Sequence, residues 1–410
     1  MQAKSKDSLW YWLFRSYLKR CLEFFYRRIE VQGQENIPKD KPVIFASNHV
    51  NALMDPLVIA YFSGKQQYFM TRGDVFTIPW VAAIFKSWRM LPIFRMKDGI
   101  DSLAKNDAIM DFVVERLKTG YSIIIFPEAS HFWVPTVQPL KKGLARLAFE
   151  VLNQNPDSEL HVVPVGLHYS DKIKVNQDVL VSFGEAISIR DFQQDPNLQR
   201  TYGAFNKELY QRMRKLVLCI DDKNNLKKLD FLRLELSKGI KHIAYAKVLQ
   251  LEQDYINALQ TAIKQNEIVL HNETTLEETL NLASLETVNK IYQSYFPQKK
   301  ESWFLAWIKF PFYALALFNF IPSLLLLKLL LDKMKDRTFH SSVKYGFGLI
   351  VLPLIAVLQA LLVYIISGNP WHALVYLLLF PVFAGLLAEY LGRKNYSFDY
   401  DAILGLDSPD

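Results

Sequence analysis

An imidazole and a carboxylate lie close together near the start of the chain, in the stretch NHVNALMDP. His49 and Asp55 are separated by five residues, with the apolar runs VIFAS and PLVIA on either side. Histidine titrates near neutral pH, so it is suited to take a proton from a hydroxyl and return it. A carboxylate on one ring nitrogen fixes the tautomer and stabilises the imidazolium. The pair indicates general-base catalysis, although a single histidine beside a strand is more often an ordinary hydrogen-bonded side chain.

Three further groups of residues accompany apolar runs in the first half of the chain. LPIFR ends on Arg95, and IIIFPEASHF places Glu128 directly after a strand-like run. VVPVGLHY is a third apolar run. Its Pro164 is suited to a sheet edge or a bulge, because proline has no backbone N–H to donate. Together with the first stretch, these groups supply a base, a cation and a second carboxylate.

Taken in order, the four groups resemble the glycerophospholipid acyltransferase family, which includes the glycerol-3-phosphate and 1-acylglycerol-3-phosphate O-acyltransferases. That family has an N-H-x-x-x-x-D block, an apolar block ending in arginine, an F-P-E-G block and a V-P-V/I block. The resemblance covers residues 35–190. The stretches NHVNALMDP and PLKKGLARLAFE are most similar to bacterial and fungal members with a longer first block, several of which use glycerol 3-phosphate.

The resemblance implies an enzyme of phospholipid synthesis that transfers a fatty acyl group from acyl-CoA or acyl carrier protein to glycerol 3-phosphate or lysophosphatidic acid. No metal or cofactor beyond that acyl donor is expected. Arg95 is then the main ligand of the acceptor phosphate, and Glu128 binds or positions the acceptor. By position alone, Arg72 and Lys142 are further phosphate candidates, and Asn48 braces the loop. Lys142 could equally be a solvated surface charge, and Glu128 could equally cap a turn.

Two departures from the family pattern bear on these roles. The common first block has four residues between histidine and aspartate, and one more rotates the carboxylate by about 100° on an ideal helix. His49 and Asp55 must therefore meet across a turn or at a helix start. The third block reads Ala129-Ser130-His131 where the family has Gly-Thr-Arg. The missing arginine leaves two alternatives open: a lysolipid acceptor without phosphate, or an inactive lipid-binding or scaffold protein on the same fold.

The composition argues against several other classes of protein. The formal charge of +7 is moderate, and the chain has no Lys/Arg-rich tail and no zinc-type Cys/His spacing, so nucleic acid is not expected as a partner. The only cysteines are Cys21 and Cys219, which argues against a disulfide scaffold and fits a reducing compartment. No G-x-S-x-G elbow, P-loop or dinucleotide glycine fingerprint is present.

Strand-like runs alternate with helical patterns through the first half of the chain. The runs are PVIFAS, QQYFMT, YSIIIFP, LHVVPVGLHY and DVLVSFGEAI, and a helix is predicted from Ser102 to Thr119. This alternation predicts an α/β domain at 35–215 with a central mixed sheet flanked by helices, and the resemblance makes it PlsC-like. Residues 216–300 are rich in Leu, Lys, Glu and Gln, and are predicted to form a helical insert or linker domain.

The N-terminal segment 1–34 mixes Trp, Tyr and Phe with Arg and Lys. This composition predicts an amphipathic helix in the membrane interface, with an ordinary helix packed on the domain as the alternative. Further along, residues 301–332 form an apolar segment broken by Lys309, Pro311 and Pro322. We expect it to be membrane-interfacial or re-entrant, with a third membrane span as the alternative.

Residues 343–394 predict a transmembrane helical hairpin, followed by a tail at 395–410. Gly346 to Ile366 and Trp371 to Leu391 are each about the length that crosses a bilayer, roughly 20 residues. Cations precede and follow the pair, and the SGNP link has none. The positive-inside bias then places both ends in the cytoplasm. We expect an integral protein of the inner (cytoplasmic) membrane, with the lipid bilayer as a partner and the catalytic domain facing the cytoplasm.

Overall fold

The protein is described from a computed structural model that covers residues 9–94, 105–129, 134–193, 197–238, 240, 243–295, 303–334 and 336–393. The chain divides into two compact units. The first is built mainly from Val31–His168 and Leu180–Cys219, and the second from Ser8–Glu30, Tyr169–Val179 and Ile220–Asp410. The domain boundaries drawn from the sequence are not tested by this division and stay predictions.

Eight strands of the described residues form one sheet. They are β1 (Arg28–Gln32), β2 (Val43–Ser47), β3 (Gln67–Arg72), β4 (Met90–Ile93), β5 (Ser122–Ile125), β6 (His161–Tyr169), β7 (Asp178–Phe183) and β8 (Ile187–Ser188). Their order is β1-β7-β6-β2-β5-β3-β4, and β8 pairs with β6. The neighbours from β6 to β4 are parallel, while β8 is antiparallel, so the predicted mixed sheet is confirmed.

The central strands are buried along their whole length. Every residue of β2 and β5 is buried, and Ile44 is in register with Ile123 on one side and Val162 on the other. Such continuous apolar strands are typical of parallel sheets, which are covered on both faces. The carboxyl ends of five parallel strands meet at one edge of this sheet, where ligands bind in open α/β folds.

Pro164 lies inside the sheet, in register with Ala46 of β2, so the expectation of a sheet edge is wrong. On the other side of β6, β8 pairs only with His161 and Val162. Beyond that pairing, the carbonyl of Pro164 accepts the backbone N–H of Gly184 at 2.8 Å. Pro164, which has no N–H to donate, thus lies where the neighbour of β6 changes from β8 to β7.

Five helices of the described residues belong to the first unit. They are α2 (Met54–Phe62), α3 (Pro79–Ser87), α4 (Lys105–Lys118), α5 (Gly143–Gln154) and α6 (Leu198–Leu216). The helix predicted from Ser102 is described from Lys105. The buried faces of α4, α5 and α6 form one core with β2 and β5, in which Leu147 and Phe205 are almost fully enclosed. Burial of each such side chain is worth about 1.5–3 kcal/mol.

Eight α-helices of the described residues belong to the second unit. α1 is Leu9–Phe25; the others are α7 (Leu226–Lys238), α8 (Tyr245–Lys264), α9 (Leu276–Leu280), α10 (Glu286–Tyr295), α11 (Trp303–Asp332), α12 (His340–Ser367) and α13 (Pro370–Arg393). Between α7 and α8, the buried Arg233 donates to Asp230 and Glu252, which neutralises its charge. This pairing explains how the helical segment buries an arginine.

Three helices of the second unit are long and apolar enough to cross a membrane, at Trp307–Asp332, Arg337–Ser367 and Pro370–Gly392. The last two correspond to the predicted hairpin, and Gly368 ends α12 with a φ of 64° before α13 begins. The first lies in the segment 301–332, whose membrane-interfacial or re-entrant form stays a prediction. α11 is one continuous helix, because each internal proline removes a single backbone hydrogen bond without ending the helix.

Polar side chains join these three helices to one another. The Tyr376 hydroxyl of α13 lies 2.8 Å from Asn319 Oδ1 of α11 and 2.8 Å from Gln359 Oε1 of α12. The Gln359 amide also donates to the carbonyl of Asn319 at 3.0 Å. Interhelical hydrogen bonds of this kind fix the mutual packing of helices in an apolar surrounding.

α1 contacts the beginning of α12 within the second unit. The Tyr17 hydroxyl donates to the carbonyl of Leu349 at 2.6 Å, and the Tyr345 hydroxyl donates to the carbonyl of Leu18 at 2.8 Å. Aromatic rings of α1 are also exposed, Trp12 and Phe24 among them. α1 is thus packed within the second unit, and its place in the membrane interface stays a prediction.

Candidate active site

His49 and Asp55 meet directly after the carboxyl end of β2. His49 Nδ1 lies 2.7 Å from Asp55 Oδ2, with 19% of the histidine side chain and none of the aspartate side chain exposed. The same Oδ2 accepts the backbone N–H groups of Val50 and Asn51 at 2.8 and 2.7 Å. The backbone N–H groups of Val50 and Asn51 thus hold the Asp55 carboxylate in place, and this carboxylate holds the Nδ1 edge of the imidazole.

The five residues between the two groups form a turn that runs into α2. Asp55 lies in the first turn of that helix, and the N–H of Met54 donates to the carbonyl of Asn51 at 2.9 Å. Ala52 takes a φ of 36°, in the left-handed region that folds the chain back sharply. The pair therefore meets at a helix start, as the spacing in the sequence required.

The face of the His49 ring is covered by Phe126. The two ring centroids are 4.0 Å apart and the planes are inclined by 16°, which is a stacked arrangement. Phe126 directly follows β5, the strand that pairs with β2. The pairing of the two strands thus delivers the aromatic ring to the imidazole.

Glu128 connects the backbone of His49 to a second loop. Its Oε2 accepts the N–H of His49 at 3.3 Å, and its Oε1 accepts the N–H of Gln138 at 3.1 Å. The residue is only 3% exposed. Burial raises the pKa of Glu128 from 4.5 to about 7; the two backbone N–H groups offset this in part, and the charge of Asp55 adds to it.

Asn48 holds the loop from the other side. Its amide nitrogen donates to the carbonyl of Leu167 at 3.0 Å, and its amide oxygen accepts the N–H of Leu167 at 2.8 Å. Leu167 belongs to β6, the other strand that pairs with β2. The position of His49 is therefore tied to both neighbouring strands.

The remaining predicted residues are distributed differently. Arg72 is the last residue of β3, in register with Ile93 of β4. Arg95 lies outside the described residues, as do Ser130 and His131 of the third block. Lys142 precedes α5, and its ammonium donates to Gln199 Oε1 at 2.8 Å on an exposed surface. The structure brings together His49, Asp55, Asn48 and Glu128, and it gives Lys142 another partner.

Two residues at the site were missed by reasoning from the sequence. Phe126 had a usable signal, since it stands at the end of a strand directly before Pro127 and Glu128. Gln138 had none, because it contributes only a backbone N–H that almost any residue could supply. What the arrangement offers chemically is an oriented imidazole at the carboxyl edge of a parallel sheet, held at its ring edge, its ring face and its backbone.

A family model described as Acyltransferase matches residues 28–168, which include all four groups of residues singled out in the sequence. An uncharacterised acyltransferase of Schizosaccharomyces pombe is 36% identical, over 42% of this chain and 38% of that protein. A chloroplastic 1-acyl-sn-glycerol-3-phosphate acyltransferase of Brassica napus is 27% identical, over 36% of this chain and 39% of that protein.

Glycerol-3-phosphate O-acyltransferase 2 of Saccharomyces cerevisiae is 30% identical, over 23% of this chain and 12% of that protein. The chain thus spans less than half the length of each of these relatives. The range matched by the family model, 28–168, carries the oriented histidine and the strand-end carboxylate.

Proposed function

We propose that this chain, whose residues 28–168 belong to the acyltransferase family, transfers a fatty acyl group to a hydroxyl of glycerol 3-phosphate or lysophosphatidic acid. The observation that carries the proposal is the hydrogen bond between His49 Nδ1 and Asp55 Oδ2. The name of the Brassica napus relative supports lysophosphatidic acid as the acceptor, and the name of the Saccharomyces cerevisiae relative supports glycerol 3-phosphate. Both acceptors present a hydroxyl on a glycerol that bears a phosphate.

In the proposed reaction, His49 Nε2 takes the proton of the acceptor hydroxyl while that oxygen attacks the carbonyl carbon of a thioester. The tetrahedral intermediate collapses by breaking the C–S bond, and the leaving sulfur takes the proton back from the imidazolium. The products are an ester and a free thiol. Asp55 stabilises the imidazolium between the two transfers. The acceptor's own hydroxyl is the nucleophile, so no acyl-enzyme is formed.

The acceptor phosphate requires cationic ligands, and arginine suits it because its planar guanidinium donates two parallel hydrogen bonds. Arg72 ends β3, and Arg95 follows the end of the neighbouring strand β4 by two residues. Because β3 and β4 are neighbours, this order along the chain supports the two arginines as the proposed phosphate ligands. Lys142 is a weaker candidate, since its ammonium already donates to Gln199.

The acyl donor in this proposal is acyl-CoA or acyl carrier protein, and the protein is integral to the membrane. Three apolar helices support the membrane association. Cations near the ends of the hairpin, among them Arg337 just before α12 and Lys344 near its start, support a cytoplasmic location for those ends. A catalytic domain on the cytoplasmic side of the inner membrane would meet both soluble thioesters and lipid products.

The test is acyl transfer by the purified full-length protein, with labelled acyl-CoA or acyl carrier protein and three acceptors: glycerol 3-phosphate, lysophosphatidic acid and a lysolipid without phosphate. We expect His49→Ala to lower kcat by about a thousandfold, because the general base is lost. Asp55→Asn should lower it by about a hundredfold or more, through the wrong tautomer and orientation.

His161→Gln is the matched control, since His161 lies at the start of β6 and its Nδ1 is 2.7 Å from the carbonyl of Glu159. It should transfer acyl groups at the wild-type rate. A His49→Ala protein as active as the wild type would refute the mechanism. Lipid binding without turnover of either donor would instead favour an inactive scaffold on the same fold.

A further inference from the structure

Glu128 has both carboxylate oxygens engaged by backbone groups of two different loops. Oε2 accepts from His49 N–H at 3.3 Å, and Oε1 accepts from Gln138 N–H at 3.1 Å. With 3% of the residue exposed, little of the carboxylate surface is open to a bound acceptor. The resemblance to known acyltransferases makes this glutamate an acceptor ligand, and its contacts here point to another role.

A second hydrogen bond joins the turn that contains Glu128 to the segment that contains Gln138. The N–H of Lys141 donates to the carbonyl of Pro127 at 2.8 Å, three residues after Gln138. The turn itself is closed by the N–H of Ala129, which donates to the carbonyl of Phe126 at 3.1 Å. The turn after β5 and the segment leading into α5 therefore form one hydrogen-bonded piece.

The same piece carries the ring that stacks on His49. Phe126 covers the imidazole face at a centroid distance of 4.0 Å, while Asp55 binds its Nδ1 edge. Glu128 adds a third fixed point, on the backbone N–H of the histidine itself. Burying a carboxylate costs free energy of desolvation. Here the buried carboxylate accepts the backbone N–H of the candidate base, and fixed supporting contacts of this kind orient functional groups.

We propose that Glu128 is a positioning residue for His49 and is not a ligand of the acceptor. It holds the loop after β2 against the turn after β5, so that the imidazole stays between Asp55 and Phe126. This inference rests on the proposed acyltransferase function. Loss of the carboxylate would then slow proton transfer from any hydroxyl, and it would leave acceptor binding largely intact.

The experiment compares Glu128→Gln with wild type in acyl transfer, using the full-length protein and varied glycerol 3-phosphate. Glutamine keeps the length of the side chain but has one oxygen, so only one of the two N–H groups can be accepted. We expect kcat to fall at least about tenfold because the base is misplaced, with the acceptor KM within about twofold of wild type. Slow hydrolysis of the thioester without acceptor should fall by the same factor as kcat.

Glu115→Gln is the matched control, because it removes one carboxylate from the exposed side of α4 and should leave all three quantities unchanged. If Glu128→Gln fails to fold, Glu128→Asp carries the same test, since its shorter carboxylate cannot span both loops. A raised KM with unchanged kcat and hydrolysis would overturn the inference and leave the acyltransferase function standing. A wild-type protein that transfers no acyl group would refute the function itself.

Discussion

The buried carboxyl of Glu128 makes the stability of the protein depend on pH. Burial raises its pKa to about 7, so the folded protein binds a proton more tightly than the unfolded chain does. Stability from this group is therefore fully present below pH 4.5 and is lost as the pH rises through about 7. The pKa difference corresponds to about 3 kcal/mol.

We expect the wild-type thermal midpoint to fall between pH 5 and pH 7.5 relative to that of Glu128→Gln, which carries no titrating group at this position. Thermal unfolding of both proteins in the same detergent measures the difference, and other titrating groups cancel in the comparison. Parallel changes of the two midpoints with pH would contradict the raised pKa.

Ala129, the residue after Glu128, is strained by its backbone conformation. Its φ of 63° lies in the left-handed region, where a Cβ atom is disfavoured by about 1–2 kcal/mol. We expect Ala129→Gly to stabilise the protein by about 0.5–1 kcal/mol, after allowance for the greater freedom of glycine in the unfolded chain.

The control is Ala108→Gly, which lies on the exposed side of α4 and should cost about 1 kcal/mol. Thermal unfolding of the two variants separates the effects, since the midpoints should move in opposite directions. If both variants were destabilised, the left-handed conformation of Ala129 would be in doubt.

For single residues, the sequence predicts side chains that can do chemistry, and it does not predict residues that contribute only a backbone group. His49 and Asp55 stood out because an imidazole and a carboxylate lay between two apolar runs, and their meeting at a helix start followed from the spacing. Gln138 could not stand out, because its contribution is an N–H. The engaged carboxylate of Glu128 likewise depends on a loop brought back from ten residues away.

The packing of β6 against the end of α6 leaves no room for a side chain at Gly166. A Cβ atom there would lie 2.5 Å from the carbonyl oxygen of Leu216, which belongs to the helix backbone and cannot move aside cheaply. We expect Gly166→Ala to destabilise the first unit by about 1–3 kcal/mol through overpacking. Thermal or urea unfolding measures the loss.

Gly143, at the start of α5, is the matched control. A Cβ atom added there meets nothing within 4 Å, and alanine favours the helix, so Gly143→Ala should stabilise the protein by about 0.5–1 kcal/mol. Equal effects of the two substitutions would show that the close approach of α6 to β6 is not what requires glycine at 166.

Elements were predictable where periodicity or apolar length was strong, and less so where tertiary contacts decide. The runs PVIFAS and YSIIIFP became buried parallel strands, since both faces of such strands need apolar residues. Pro164 was misjudged because its tolerance depends on which strand lies beside it. α11 continues through Pro311 and Pro322 because the other turns keep their hydrogen bonds, which the prolines in the sequence alone do not reveal.

The apolar surface of the second unit is far larger than a water-soluble protein exposes. Leu354 and Leu358 of α12 are 60% and 64% exposed, and leucines on α11 and α13 are similarly open. Exposed apolar patches beyond a few hundred Å² mark contact with a membrane or another protein. The length and continuity of these helices favour lipid, since each of the three is long enough to span a bilayer.

We expect the double substitution Leu354→Lys and Leu358→Lys to prevent stable membrane insertion. A lysine at the centre of a membrane-spanning helix costs about 2.5–3.5 kcal/mol, whereas an exposed lysine in water costs almost nothing. The measurement is the fraction of full-length protein that stays in the membrane pellet after extraction with alkaline carbonate. The wild type should stay there, and the double variant should be extracted or degraded.

Leu198→Lys is the control, because Leu198 is 52% exposed at the start of α6 in the first unit and should not alter extraction. A double variant that accumulates and resists carbonate as the wild type does would show that lipid does not cover this face of α12, and the membrane-bound form of the proposed enzyme would fall with it.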